Sequence, residues 1–386
     1  MKLFYFARVD LREQDASQRH VLEFCLSFAR LGHEVTLFIP DLGARPRFEG
    51  LRTVYVPTFS RRSAVTFFTF YIALFFVFLK HYRRGRPDVV YTRFQQMEWL
   101  VTWLRFVLPF RYAIEINGVT SVELKIHAVS SWIIRLLEWN ERLVFRFAHL
   151  LVTPSAHIQE ALQKNYGIGG RRFFVVSNGA DPEVFKPKDA RQCRQALGLD
   201  PDGKYLVFVG SFKKWHGIYK IVEVFPALLK AMPDCRLLLV GDGEERKKIE
   251  DYIAQNHLSG KIVLAGKMSY EKIPDYINAG DICLAPYFDS LLNESGISPL
   301  KMYEYMACGK PILTSPVGGV DVLFKAHRIG ELIDSNSAEA WVPVITSLLG
   351  QPDKMREFGE NGRRAVIEEY SWDAIAGRIA AKLESL

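Results

Sequence analysis

Short apolar runs punctuate this chain, and each is followed by a stretch whose apolar residues recur at helical spacing. That rhythm restricts the fold more than any other feature, because strand–helix–strand repeats build a parallel sheet wrapped by helices. In the first half, residues 3–7, 34–39, 88–91, 111–116, 150–153 and 173–176 read as strands. A helix over 17–31 places Val21, Cys25 and Phe28 on one face and stops at Gly32. A second helix spans 132–148. Residues 178–202 carry Gly179, Pro182, Pro187 and Pro201 among charges and read as a linker. The rhythm then resumes, with strands over 205–209, 235–240, 262–265, 282–285 and 312–314 and a last helix over 372–386. With 386 residues, two doubly wound domains are expected: 1–185, then 186–370, followed by the helix 371–386.

The formal charge of +7 points to anionic partners such as diphosphates or anionic lipid. No recognisable nucleic-acid module accompanies it, so nucleic-acid binding is not expected. Cys25, Cys193, Cys235, Cys283 and Cys308 are widely spaced, which favours a reducing compartment over a disulfide framework or zinc knuckle. The opening MKLFYFARVD has too short an apolar run for a leader peptide and reads as a first strand. A cytoplasmic body is the expectation.

Residues 64–79 stand apart. They are nearly all apolar, include Phe67, Phe68, Phe70, Tyr71, Phe75, Phe76 and Phe78, and lie between Arg61 and Arg62 on one side and Lys80, Arg83, Arg84 and Arg86 on the other. The run is short for a bilayer span, which takes about 20 residues. Two readings remain: a helix buried under the sheet, or one lying on an anionic membrane through residues 61–86.

The stretch 294–311, ESGISPLKMYEYMACGKP, carries the strongest chemical pattern. A Ser-Pro turn enters a helix whose first amides lack partners, an arrangement that attracts phosphate. Lys301 lies in its first turn and Glu304 one turn later on the same face, placed to accept hydrogen bonds from a ribose diol. A surface Lys–Glu pair of no consequence would show the same spacing. A second stretch, VGSFKKWHG over 209–217, ends a strand in glycine and opens a loop with Lys213, Lys214 and His216. Loops at the carboxyl ends of parallel strands bind ligands in such sheets, although a solvated basic turn reads alike.

The first of these stretches resembles the SPLK-x-x-EYMA-x-GKP variant of glycosyltransferase family 4. The second resembles that family's G-R-x-x-x-x-K-G loop, with Ser211 at the arginine position and His216 at the lysine position. VSNGADPEVFKP (176–187), LVGDGE (239–244), IVLAGK (262–267) and PILTSPVGGV (311–320) match further family turns in order, and LGHEVTLFIP (31–40) resembles its second strand entry. The resemblance implies an α/β fold of the GT-B type: two Rossmann-like domains facing each other across a donor-binding cleft, with a carboxyl-terminal helix crossing back to the first.

It further implies a retaining hexosyl transfer from a UDP- or GDP-sugar to a glycan or lipid-linked acceptor, with no cofactor and no metal. Donor binding falls to Ser211, His216, Lys267, Met268, Gly296, Ile297, Ser298, Pro299, Leu300, Lys301 and Glu304, with Glu304 on the ribose. The diphosphate charge falls to Lys213 or Lys214. The commoner family pattern has a glutamate where this chain has Gly296, and Glu294 is the nearest acid. Common members place a histidine just after the strand 111–116; here Glu115 and Asn117 are the candidates. Their Gly-Gly loop is replaced by QDASQRH (14–20), leaving Ser17 and Arg19 as acceptor-side contacts. Two rival readings are a catalytically silent nucleotide-sugar-binding subunit and a 2-epimerase of the same fold.

Overall fold

The computed structural model describes residues 1–12, 16–58, 63–95, 98–118, 130–288, 296–333 and 337–386, with the side chains of 16, 63–68, 100 and 171 outside the description. It divides into two compact units. The first comprises Met1–Asn178, Glu294–Ser298 and Trp372–Leu386; the second comprises Gly179–Asn293 and Pro299–Ser371. The boundary thus falls at Asn178/Gly179, earlier than the expected 185/186. A short piece of the 294–311 motif belongs to the first unit, although its sequence neighbours belong to the second.

In the first unit seven strands form one parallel sheet: β1 (Lys2–Phe6), β2 (Glu34–Pro40), β3 (Arg52–Val56), β4 (Val89–Arg93), β5 (Arg111–Glu115), β6 (Leu150–Thr153) and β7 (Phe173–Val175). Their order is β3-β2-β1-β4-β5-β6-β7, so the direction of winding reverses between β1 and β4. The central strands are apolar along their length because helices cover both faces. On one face, α1 (Ala16–Arg30) places Phe24 on Tyr5 and Tyr91, with ring centroids 5.0 and 4.7 Å apart. On the other lie α2 (Ser63–Arg84), α3 (Trp99–Leu104), α4 (Ser131–Phe147) and α5 (Ala156–Tyr166), all feeding one apolar cluster.

The apolar segment is therefore the core-facing part of α2, which is longer than expected. Phe70, Tyr71, Leu74, Phe78 and Tyr82 are buried, and Phe78 packs edge-on against Phe6 at 5.6 Å. Its period is helical, so Ile72 and Phe76 face solvent. Phe67, Phe68, Arg61 and Arg62 lie outside the described side chains. Among the described residues no helix is long and apolar enough to cross a membrane.

The second unit holds six parallel strands: β8 (Lys204–Val209), β9 (Cys235–Val240), β10 (Ile262–Gly266), β11 (Ile282–Ala285), β12 (Ile312–Thr314) and β13 (Gly330–Leu332). Their order is β10-β9-β8-β11-β12-β13, with the reversal between β8 and β11. The helices are α6 (Ala190–Ala196), α7 (Ile218–Ala231), α8 (Arg246–Gln255), α9 (Ile273–Ala279), α10 (Leu300–Ala307), α11 (Val320–His327), α12 (Trp341–Leu349) and α13 (Pro352–Ala365). After a π turn over Val366–Tyr370, the last helix, α14 (Trp372–Glu384), rejoins the first unit. There it packs on α1, with Arg30 paired to Asp373 at 2.7 Å and Arg111 Nη1 donating to the Leu383 carbonyl at 2.9 Å.

Candidate functional site

In doubly wound sheets, ligands bind outside the carboxyl ends of the strands where the winding reverses. In the second unit that point is the end of β8 beside β11, and it holds a buried ammonium. Lys301, in the first turn of α10, is only 8% exposed. Its Nζ lies 4.1 Å from the Phe208 ring centroid and 5.8 Å from that of Tyr287. Among the described residues it has no hydrogen-bond partner, and neither has the buried Tyr287 hydroxyl. Burial pushes the Lys301 amine down to about 7, with the nearby Glu304 carboxylate pulling the other way.

The seat for this side chain depends on Gly210. Its φ is +145°, and a Cβ there would meet Lys301 Nζ at 2.9 Å and Cε at 3.2 Å. The helix carrying Lys301 is pinned near its carboxyl end. The Val209 amide donates to Tyr305 Oη at 2.8 Å. Arg363 Nη1 donates to the carbonyls of Ala307, Pro182 and Phe185. Pro299 occupies the N-cap position and no side chain caps the first amides, which leaves them free of a side-chain acceptor. Glu304 is half-buried on the face Lys301 shares.

The residues of the 209–217 loop divide. Ser211 and His216 come together, with His216 Nδ1 2.5 Å from the Ser211 carbonyl and 3.3 Å from its Oγ. His216 is buried, and desolvation, then the neighbouring Lys301, push it down to about 2. It is neutral at ordinary pH, so it stands where the family has a lysine without supplying that charge. Lys213 and Lys214 are exposed on the turn, whose Lys214 amide is held by Glu244 at 2.9 Å. Lys267 is exposed and Met268 half-buried just after β10, where Tyr276 donates to the Met268 sulfur at 3.4 Å.

Gly296, Ile297 and Ser298 belong to the first unit. Gly296 has φ +71° and packs on the start of α5, where a Cβ would meet Ile158 Cγ1 at 2.9 Å and Ile158 N at 3.0 Å. The glutamate of the commoner pattern has no room there. Ser298 is tied by its carbonyl to Asn178 Nδ2 at 2.7 Å. Glu294 lies outside the described residues.

The first unit has a polar cluster of its own at the ends of β4 and β5. Buried Glu115 accepts from Tyr91 Oη at 3.3 Å and from Asn117 Nδ2, and lies 3.3 Å from His20 Nε2. Burial holds the His20 imidazole down at about 4 despite that carboxylate, so it is neutral. His20, Glu115, Asn117 and Asn178 line a small cleft with Trp372 and Ile375. Of the expected acceptor-side pair, Ser17 accepts from Arg93 Nη1 through its carbonyl at 3.1 Å, and Arg19 pairs with buried Glu23. His20, Arg93 and Tyr287 were not singled out from the sequence. His20 lies within the quoted QDASQRH stretch, but its convergence with β5 is a tertiary property. No cluster of metal-ligating side chains occurs among the described residues.

Two Rossmann-like parallel-sheet units of this kind define the GT-B class of α/β proteins. Sucrose-phosphate synthase from Thermosynechococcus elongatus superposes with a TM-score of 0.81 at 20% identity, covering 100% of this chain and 98% of that one. Anabaena HepE, solved in complex with UDP, gives 0.77 at 17% identity with both chains fully covered. Residues 17–184 match the family described as Glycosyltransferase Family 4, and residues 189–365 that described as Glycosyl transferases group 1. Both matches are to glycosyltransferase families, and together they take in most of the chain. The chain is similar to the D-inositol 3-phosphate glycosyltransferase of Segniliparus rotundus, 28% identical over 57% of this chain and 48% of that protein. It is also similar to the alpha-maltose-1-phosphate synthase of Mycolicibacterium smegmatis, 27% identical over 62% and 63% of the two chains. The matched region spans about half the length of the first of these relatives.

Proposed function

We propose that this chain is a retaining, metal-independent glycosyltransferase that moves a hexosyl unit from a UDP- or GDP-sugar to an acceptor hydroxyl. The observation that carries the reading is the lone, buried ammonium of Lys301 at the β8/β11 reversal, beside uncapped helix amides. A diphosphate there would gain a charge-assisted contact and restore the amine to its charged form. Glu304, one turn on, would take the ribose diol. As the glycosidic bond breaks, negative charge grows on the leaving diphosphate, and fixed positive groups lower the barrier most where water is scarce. Lys213 or Lys214 would add to this from the neighbouring turn. The acceptor hydroxyl would attack from the face the diphosphate leaves, passing its proton to the departing phosphate. The HepE structures with UDP and with UDP-glucose support a nucleotide-sugar donor.

The test is a panel of UDP- and GDP-sugars scored by protection against thermal unfolding, since a ligand that binds only the native state raises stability. One donor should protect and should release nucleoside diphosphate on incubation. Protection without release over hours would favour a silent binding subunit, and no protection by any donor would remove the reading altogether.

A further inference from the structure

Among the described residues, fourteen large apolar side chains are exposed, and nine of them lie on α2, α3 with its following turn, and α4. They include Trp99, Trp103, Trp132 and Trp139, four of the seven tryptophans in the chain. The remaining exposed apolar residues are scattered singly, which is ordinary for a protein surface. This concentration is not ordinary, because contiguous apolar surface marks an interaction site.

The three helices lie side by side on one face of the first sheet, with α3 touching both neighbours. The inward faces are spent on the core: Phe70, Leu74 and Phe78 from α2, Val101 and Leu104 from α3, Val144 and Phe145 from α4. What faces outward is left over from packing. On α4 the outward stripe reads Trp132, Arg135, Leu136, Trp139, Arg142 and Arg146, all exposed, each lying three or four residues from another of the set. Trp132 is 66% and Trp139 62% exposed. In the turn after α3, Phe106 is exposed and lies 5.0 Å from Phe147 of α4, which joins the two patches.

The charges on this face have one sign. Arg135, Arg142 and Arg146 share the α4 stripe, Arg105 lies 5.8 Å from the Phe106 ring centroid, and Lys80, Arg83 and Arg84 end α2. The acids of these three helices are withdrawn: Glu141 is buried and accepts from Tyr166, and Glu138 is half-buried. Tryptophan is the side chain that most favours the boundary between headgroups and acyl chains, and guanidinium groups beside it match anionic phosphates. A protein partner's apolar patch would not call for so many cations without an acid partner among the described residues.

We propose that the outer face of α3 and α4, extended by the end of α2, docks on an anionic membrane surface. Trp103, Phe106, Trp132 and Trp139 enter the interface, and Arg135, Arg142 and Arg146 meet the headgroups. The reading of α2 as the membrane element is thereby shifted: α2 is mainly a core helix, and its neighbours carry the exposed aromatic surface. This inference does not rest on the donor assignment, and its test needs no nucleotide.

The experiment is co-sedimentation with vesicles of phosphatidylcholine alone or with about one third phosphatidylglycerol, at low and high salt. The wild-type chain should pellet with the anionic vesicles at low salt and be released by high salt. Trp132→Gln with Trp139→Gln should lower partitioning by at least about tenfold, and Arg135→Glu with Arg142→Glu should do the same on anionic vesicles. Both pairs are exposed, so their melting temperatures should stay near the wild-type value. Lys230→Glu with Lys261→Glu, in the second unit, matches the charge change and should leave partitioning unaltered. Wild-type protein left in the supernatant at low salt overturns the proposal, as does unchanged partitioning in both α4 variants. A concentration-dependent dimer that the tryptophan pair abolishes, without vesicle binding, would assign the face to a second copy of the chain instead.

Discussion

Replacing Lys301 by methionine should make this protein more stable and less able to hold its donor. The amine is pushed from 10.5 to about 7 by burial. Each unit corresponds to about 1.4 kcal/mol between the two protonation states, so the site disfavours the charge by on the order of 3–5 kcal/mol at neutral pH. Methionine keeps an unbranched stem of similar length and leaves a sulfur among Phe208 and Tyr287, a contact such rings favour. The sign in pH follows from the same shift. The folded pKa lies below the unfolded one, so between about pH 7 and 10.5 the unfolded chain binds the extra proton. Wild-type stability should rise with pH across that window, with the full cost present below pH 7. Lys301→Met should lack that rise and melt higher at pH 7. Titration with UDP by calorimetry supplies the other half. Wild type should take up a proton on binding above pH 7, seen as a heat that depends on the buffer's ionisation enthalpy, and its affinity should fall as pH climbs. The variant should show neither effect and bind at least tenfold more weakly. A variant that melts lower than wild type at pH 7, or binds UDP equally well, would refute the reasoning.

Glu304→Gln should keep the fold, judged by its melting curve, and weaken donor binding severely in calorimetry, because a neutral amide is a poorer acceptor for a ribose diol. Lys213→Ala combined with Lys214→Ala should depress turnover more than alanine at the distant Lys230 does, since both lysines border the β8 loop; normal turnover would move the charge elsewhere. Gly296→Glu, which restores the commoner family pattern, should lower the melting temperature and give no gain in activity, because of the φ of +71° and the contact with Ile158. Turnover should persist in excess chelator, and loss restored by magnesium or manganese would refute metal independence.

The strand–helix rhythm was legible because central strands buried on both faces read as unbroken apolar runs, as in 237–240 and 282–285. The strands β3 and β13 were missed for the complementary reason. Each lies at a sheet edge, β3 carries half-exposed residues, and β13 is three residues long and begins with glycine. The 294–311 stretch was legible as the start of a helix, but the burial of Lys301 was not. That burial is assembled from Phe208, Gly210 and Tyr287, all distant in sequence. His216 likewise carries no local sign of the burial that keeps it neutral. The cluster of His20 and Glu115 joins residues nearly a hundred positions apart, and local spacing carries no record of it. The Arg19–Glu23 pair, by contrast, has a four-residue helical spacing that reads directly from the chain.

The position of α14 has a consequence for how the molecule is made. Residues 372–384 complete the first unit, yet the whole second unit is synthesised between them and residues 1–178. On the ribosome, the second unit can emerge and close its sheet while the first still lacks the helix that covers α1 and lines the cleft beside His20 and Glu115. The amino-terminal half must therefore wait with apolar surface uncovered, and it is the part of the nascent chain with most need of a chaperone. For the same reason, exchanging domains between relatives by a single crossover near residue 178 would leave a first unit wearing another protein's last helix. Exchanges that carry 372–384 along with 1–178 should fold in better yield.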